Sequence, residues 1–317
     1  MKYKTITDLC EVFTNIVHHK HDEMYRSNFI KYYYVGLLFQ YRYILNDYFK
    51  KHNYKIIQYN GEFGPELKYV VPFAYWHYCN GTLKKTISSK HTKEFYYFSD
   101  NHEEKYTERK WRPYCFGIPN SEDHNIKYNF KQWRRVPYKD IYRNDIFVYN
   151  KPILIIANKY NMEWGEKPVN YLNIDILKRI IENYSDKYQI VYNRAPSDYI
   201  INDNSKIIEY DDYNFIKRNY PSIICMQDLF KYVKSESIPN FNKFQLMMYA
   251  NAKRFVSVHG GASVLASYFG GVNIIYSVKG FEHYFNEFES LYPKLSGAKI
   301  IHAKTNQALM KAINDYL

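Results

Sequence analysis

The chain has 317 residues, 46% of them hydrophobic, so it can bury cores of ordinary size and is not a disordered segment. Lys and Arg total 44 against 32 Asp and Glu, a net charge of +12 that favours phosphate-bearing ligands, polyanions or acidic headgroups. The charges are scattered, with "KWRPY" and "KQWRR" as the only basic-aromatic knots, so no nucleic-acid arm and no nucleic-acid partner is expected.

Cys10, Cys79, Cys115 and Cys225 stand far apart without a C-x-x-C pair. That spacing argues against a clustered zinc site and for reduced thiols in a cytoplasmic protein. The opening residues, "MKYKTITDLCEVF", carry no apolar core of signal-peptide length. No stretch reaches the roughly eighteen uncharged apolar residues of a membrane span. A cytoplasmic protein is expected, with peripheral contact to anionic lipid allowed by its charge. The Lys, Asn, Ile and Tyr bias points to an AT-rich bacterial or viral genome, and most of the 37 tyrosines are ascribed to it.

In chain order, "FIKYYYVGLLFQYRYIL" is broken by Lys31 and Arg42 and reads as part of a buried amphipathic helix over 24–50. A strand, "YKIIQY", follows at 54–59, then the turn-rich "NGEFGPEL" and a helix from Pro65 to Cys79. Proline suits a first helical turn because no amide donor is needed there. A second strand, "EFYYFS", is expected at 94–99, ending at Asp100, and 101–150 reads as irregular structure leading to a linker. Beyond it the pattern sharpens. "PILIIAN", "QIVYNR", "KIIEY", "SIICM", "RFVSV", "VNIIYSV" and "AKIIHAK" are short apolar strands. They alternate with the helical "NIDILKRIIENYSDKY", "NKFQLMMYANA", "SVLASYF" and "NQALMKAINDYL", which predicts a parallel sheet covered on both faces. The expected fold class is α/β, with two Rossmann-like domains, 1–150 and 151–317, facing a cleft. Ligands of such sheets bind at the carboxyl ends of the strands.

The stretch with the most chemistry is "ANAKRFVSVHGGASVLASYFGG" at 250–271, which holds four of the chain's 12 glycines. A strand runs into His259, Gly260, Gly261, Ala262 and Ser263, and a helix begins at once. Glycine lets backbone approach a ligand closely, and the amides of a helix N-terminus favour an anion, above all phosphate. His259 can add a donor to the same phosphate. A tight strand-to-helix turn would account for the glycines alone, but not for the flanking His and Ser. The spacing is neither G-x-G-x-x-G nor a P-loop.

The layout resembles the donor-binding domain of GT-B-type glycosyltransferases, and the His-Gly-Gly-Ala-Ser turn resembles the His-Gly-Ala-Gly turn of glycosyltransferase family 61. The likeness covers mainly residues 240–285, and the general layout extends it over 152–317. The chain departs from the family at Gly261-Ala262, where Ala then Gly is usual. The resemblance implies a nucleotide-diphosphate sugar as donor substrate, UDP or GDP type undecided, with the diphosphate near the His259 turn. It also implies that "VNIIYSVKGFEHY", with Ser277 at its strand end, contacts the nucleotide.

Asn158 and Lys159 follow the first strand of the second half, with Tyr160 beside them. Lys159 can neutralise a diphosphate as a point charge. In the same loop, beside Glu163, Trp164 can stack on a sugar or base, or simply anchor the loop. Arg194, after "QIVYN", is a further phosphate or ribose candidate. Inverting sugar transfer needs a carboxylate to take the acceptor's proton. Glu66 at the helix start is the first choice, Glu62 the second and Asp100 the third, and His77 or His102 could serve instead. The acids of "YDDYN" are adjacent, so they point to opposite faces, and no D-x-D dyad is placed to hold a metal. The expected activity is metal-independent, inverting transfer to a glycan acceptor held by the first half, with no cofactor beyond the donor. Two other classes stay open, a non-catalytic basic protein binding nucleic acid or another polyanion, and another glycan-modifying transferase such as a pyruvyl transferase.

Overall fold

The computed structural model describes residues 3–20, 23, 26, 47–111, 118–119, 130–163, 167–201, 203, 206–283 and 286–317. Most of the helix expected over 24–50, and Trp164, lie outside them.

In the first half, helix α1 (Tyr3–Val17) precedes a three-stranded parallel sheet of β1 (Lys55–Gln58), β2 (Leu83–Ser89) and β3 (His102–Tyr106), in that order. Between β1 and β2 runs the continuous helix α2. Its first turn is Phe63–Pro65, its middle is a π-helical Glu66–Val70, and its body is Val71–Cys79. The strand expected at 94–99 is instead a 3₁₀ helix, Lys93–Tyr96. Glu94, Phe95 and Tyr96 are all buried, and a strand would have turned the middle one of the three away from the core. The short helix α3 (Tyr138–Tyr142) leads towards the second half.

There, chain order runs β4 (Ile153–Ala157), β5 (Asn161–Met162), α4 (Ile174–Tyr184), β6 (Gln189–Asn193), β7 (Lys206–Ile207), α5 (Asp212–Asn219), β8 (Ile224–Cys225) and α6 (Met226–Val233). It continues through α7 (Phe241–Ala250), β9 (Arg254–Val258), α8 (Gly261–Ser267), β10 (Val272–Tyr276), α9 (Glu287–Ser290), β11 (Lys299–Ala303) and α10 (Asn306–Tyr316). Six of these strands form one parallel sheet in the order β11-β10-β9-β4-β6-β8. Numbered within the half, that order is 3-2-1-4-5-6, the doubly wound Rossmann arrangement. "KIIEY" is not one of its strands: β7 pairs antiparallel with β5 as a two-residue ribbon.

Leu154, Ile156 and Val256 on one face of the large sheet pack on Ile176, Ile180 and Ile313 of α4 and α10. Ile155, Ala157 and Phe255 on the other face meet Phe244, Met248 and Leu265 of α7 and α8. That second core does not stop at the domain edge. It continues into Leu67, Val70, Phe73 and Tyr138 of the first half. Hydrogen bonds cross the same boundary, from Tyr268 Oη to the Leu67 carbonyl (2.6 Å) and from Lys139 Nζ to those of Ala252 (3.1 Å) and Phe269 (2.6 Å). The chain leaves β4 on one side and returns through β9 on the other, so the switch point of the sheet lies between Ala157 and Val258.

Candidate active site

A cleft of about 720 Å³ opens at that switch point. The second half contributes the residues after β4 and β9, and the first half contributes the start of α2 together with Arg109 and Trp111.

The turn after β9 is built for close approach. Gly260 has φ +109°, a region that side chains avoid, and a Cβ there would sit 3.3 Å from Lys159 Nζ. A Cβ on Gly261 would lie 2.7 Å from Cδ1 of Phe63. The second glycine therefore serves the contact between the first turns of α8 and α2, in addition to any ligand. Ser263 is buried and hydrogen-bonds the Gly260 carbonyl at 2.8 Å, so it closes its own turn and does not line the cleft. Gly270 and Gly271, at φ +70° and +69°, end the region after α8. Gly271 is obligatory, because its Cβ would fall 2.0 Å from the Lys253 carbonyl oxygen.

His259 reaches the cleft wall with both ring nitrogens engaged. Nδ1 meets Ser277 Oγ at 2.8 Å and Nε2 meets Glu282 at 3.1 Å. Ser277 in turn meets His283 Nε2 at 2.7 Å, so it supports the imidazole from behind and does not line the cleft. Burial and the neighbouring His302 and His259 push His283 down to about 4, which keeps it neutral at ordinary pH. Gly280 permits the arrangement, since a Cβ there would lie 2.3 Å from His259 Cε1. Glu282 also approaches Lys68 (3.5 Å), whose ammonium pairs with Glu287 at 2.7 Å. Burial disfavours charge on Lys68, but Glu287, Tyr69 and Glu282 together outweigh it and hold the ammonium well above its ordinary range.

Lys159 lies beside Gly260 and pairs with Glu163, whose second oxygen accepts from Asn170 at 3.0 Å. Asn158 is buried and spoken for: its amide donates to the Leu172 carbonyl (3.1 Å) and Tyr192 Oη (3.0 Å), and its oxygen accepts from Leu172 N at 2.9 Å. It holds the loop in place. Arg194 is pinned by Asp212 at 3.0 Å and the Tyr210 carbonyl at 3.1 Å. The adjacent acids do separate as their spacing predicts. Asp212 is fully buried against Arg194 and Tyr192, while Asp211 is exposed and bound to Arg218.

Among the base candidates the structure is selective. Glu66 is 1% exposed and enclosed by Arg109 (2.7 Å), Tyr96 Oη (2.9 Å) and Ser88 Oγ, behind the cleft wall. Asp100 is exposed on the turn before β3, away from the cleft. His77 is bound to Thr82 (2.8 Å), and His102 to Thr86 (2.8 Å) and Thr92 (3.2 Å), both outside the cleft. Only Glu62 lines it.

Sequence reasoning missed Asp203. Its carboxylate lines the cleft, accepts from the Phe63 amide at 3.1 Å and lies 3.5 Å from Arg109 Nε. Burial raises it above the usual carboxylate range, against the pull of Arg109 and that amide. It follows no strand in the sheet and carries no motif, so nothing in the sequence marked it.

No protein-family model and no curated protein sequence matches the chain. Among solved structures, a glycosyl transferase family 9 protein from Veillonella parvula DSM 2008 is similar at 10% identity with a TM-score of 0.33, covering 77% of this chain and 63% of that one. A sucrose-phosphate synthase from Thermosynechococcus elongatus is similar at 12% identity with a TM-score of 0.28, over 99% of this chain and 70% of that one. The chain thus spans under two thirds of the length of the first of these. Neither of these shows the likeness to glycosyltransferase family 61.

Among the described residues, no helix is long and apolar enough to cross a membrane.

Proposed function

We propose that the protein is a glycosyltransferase that moves a sugar from a nucleotide diphosphate to a glycan acceptor, inverting the anomeric centre without a metal. The observation that carries this reading is the cleft at the switch point of a 3-2-1-4-5-6 sheet, where such folds bind phosphorylated ligands, faced by carboxylates from across it. The donor lies over the ends of β4 and β9. Its diphosphate takes the Lys159 ammonium from Glu163, and the Gly260 turn leaves room for it. The acceptor enters from the α2 side.

Asp203 suits the base, because its carboxylate lines the cleft and stays partly exposed there, and desolvation favours its taking a proton against the pull of Arg109. Glu62, at the N-terminal edge of α2, also lines the cleft and is the second candidate. The acceptor hydroxyl attacks the anomeric carbon from the face opposite the diphosphate and gives its proton to the base. The bond from that carbon to the phosphate oxygen breaks, and its electron pair leaves with the diphosphate, which Lys159 neutralises.

The test is thermal stabilisation by UDP, GDP, CMP and dTDP sugars, with and without EDTA. A ligand at a hundredfold its dissociation constant adds about 2.7 kcal/mol, a rise of several degrees for a chain of this size. A rise with one nucleotide class that survives EDTA is expected. No rise with any of them at millimolar concentration removes this reading.

A further inference from the structure

Three side-chain amides form a relay along the cleft wall. Asn242 Nδ2 donates to the main-chain carbonyl of His91 at 2.6 Å. Gln245 Nε2 donates to Asn242 Oδ1 at 3.1 Å, and Asn193 Nδ2 donates to Gln245 Oε1 at 2.7 Å. Asn193 Nδ2 also donates to Tyr249 Oη at 2.7 Å, so both of its hydrogens are used. What remains is Asn193 Oδ1, which is buried with no hydrogen-bond partner among the described residues, on a residue that is 5% exposed and lines the cleft.

An amide can ordinarily turn over and exchange its oxygen for its nitrogen, so a lone asparagine does not commit to accepting or donating. This relay cannot turn over. A backbone carbonyl only accepts, so His91 fixes Asn242 with its nitrogen outward, and that choice passes through Gln245 to Asn193. His91 itself sits in the left-handed region at φ +62°, and its carbonyl meets Asn242 across the boundary between the halves. The relay thereby leaves an unpaired acceptor, buried at the cleft wall, on a lining residue at the end of β6. A buried acceptor left unpaired costs free energy that a ligand donor restores.

We infer that Asn193 Oδ1 is the receptor for a hydroxyl of the ligand, and that the neutral, hydroxyl-bearing part of the donor lies at the end of β6 while its diphosphate lies at β4 and β9. A phosphate or carboxylate oxygen at this point would meet Oδ1 acceptor to acceptor and be repelled. The assignment rests on the nucleotide-sugar reading and divides its cleft into an anionic and a neutral subsite. The relay polarity also depends on the first half, because His91 must be docked against Asn242 for Oδ1, and not Nδ2, to be the atom left unpaired.

The experiment measures binding of UDP-glucose, GDP-mannose, UDP, GDP, inorganic pyrophosphate and free glucose to the wild type, Asn193→Leu and Gln245→Met. Asn193→Leu should weaken a bound sugar nucleotide about tenfold, with pyrophosphate unchanged. Gln245→Met keeps Asn193 but frees its amide to turn over, so it should give a smaller loss of the same kind. It also serves if Asn193→Leu fails to fold. If the loss is as large for UDP or GDP as for their sugars, the hydroxyl belongs to the ribose; if only the sugar forms lose affinity, it belongs to the transferred sugar. A sugar nucleotide held equally by all three proteins overturns this inference and leaves the transferase reading standing. Loss of glucose binding in the variants, with no nucleotide bound by any of them, keeps the hydroxyl receptor and removes the transferase. Binding of none of these probes to the wild type overturns both.

Discussion

Two places in the molecule treat buried polar groups in different ways. In the first half the carboxylates of Asp47 and Glu66 are ringed by charged and polar partners, although Ser89 Oγ and Gln132 Oε1 are buried without a hydrogen-bond partner among the described residues. Asp47 is bound by Tyr54, by Lys55 at 3.3 Å and by Gln132 at 2.7 Å, while Glu66 has Arg109, Tyr96 and Ser88 around it. Burial pushes the Asp47 carboxyl up, yet His77, Lys55 and Tyr54 outweigh it and hold it at about 2. At the ends of β4 and β6 the shells are open on one side. Among the described residues Lys159 has one carboxylate partner, and Asn193 keeps an oxygen without any. A polar residue at a strand end is a candidate for function when its protein partners leave a valence over, and position alone does not decide it.

The most forceful way to break this contrast is at the charge that joins the halves. Lys68→Met leaves Glu287, which is fully buried, without its cation, and should cost about 3–5 kcal/mol in urea unfolding. The double variant Lys68→Met/Glu287→Gln should recover a good part of that. A single-variant loss below about 1 kcal/mol would mean that water reaches the pair and that this shell, too, is open.

Next comes the contact between the two helix starts. Gly261→Ala places a methyl 2.7 Å from the Phe63 ring and should lower stability by about 1–3 kcal/mol, with Phe63→Leu in the same chain relieving most of it. Equal stability of Gly261→Ala and the wild type would show that the ring moves freely, and that the glycine answers to the ligand alone.

The smallest effect sharpens the open side. Glu163→Gln removes the competitor for Lys159 and should tighten pyrophosphate binding by about two- to fivefold, in keeping with a partly exposed ion pair. Unchanged affinity, measured by calorimetry at low salt, would detach Lys159 from the anion.

Sequence period revealed the second half because its strands are mostly apolar. Ile153 to Ala157 and Val272 to Tyr276 are buried at every position, as in any sheet covered on both faces. The first half hid its sheet for the opposite reason. In β2 the buried positions include Thr86, Ser88 and Ser89, and Thr86 and Ser88 are satisfied by Ser99 Oγ and Glu66. Hydrophobic periodicity cannot see such a strand. The same limit applies to the cleft. The rule of strand ends located Lys159 and the Gly260 turn, and it stopped one residue short at Arg194 when Asn193 stood beside it. Arg109 and Asp203 are 94 positions apart in a chain that gives no local sign of their meeting.

The second core has a consequence for how the molecule comes apart. Because Leu67, Phe73 and Tyr138 belong to the same packed cluster as Phe255 and Leu265, neither half can melt without stripping the other of apolar cover. Heating should therefore give a single cooperative transition, where two separately cored lobes would give two. Each half is the other's solvent shield, and the cleft exists only as long as both stand.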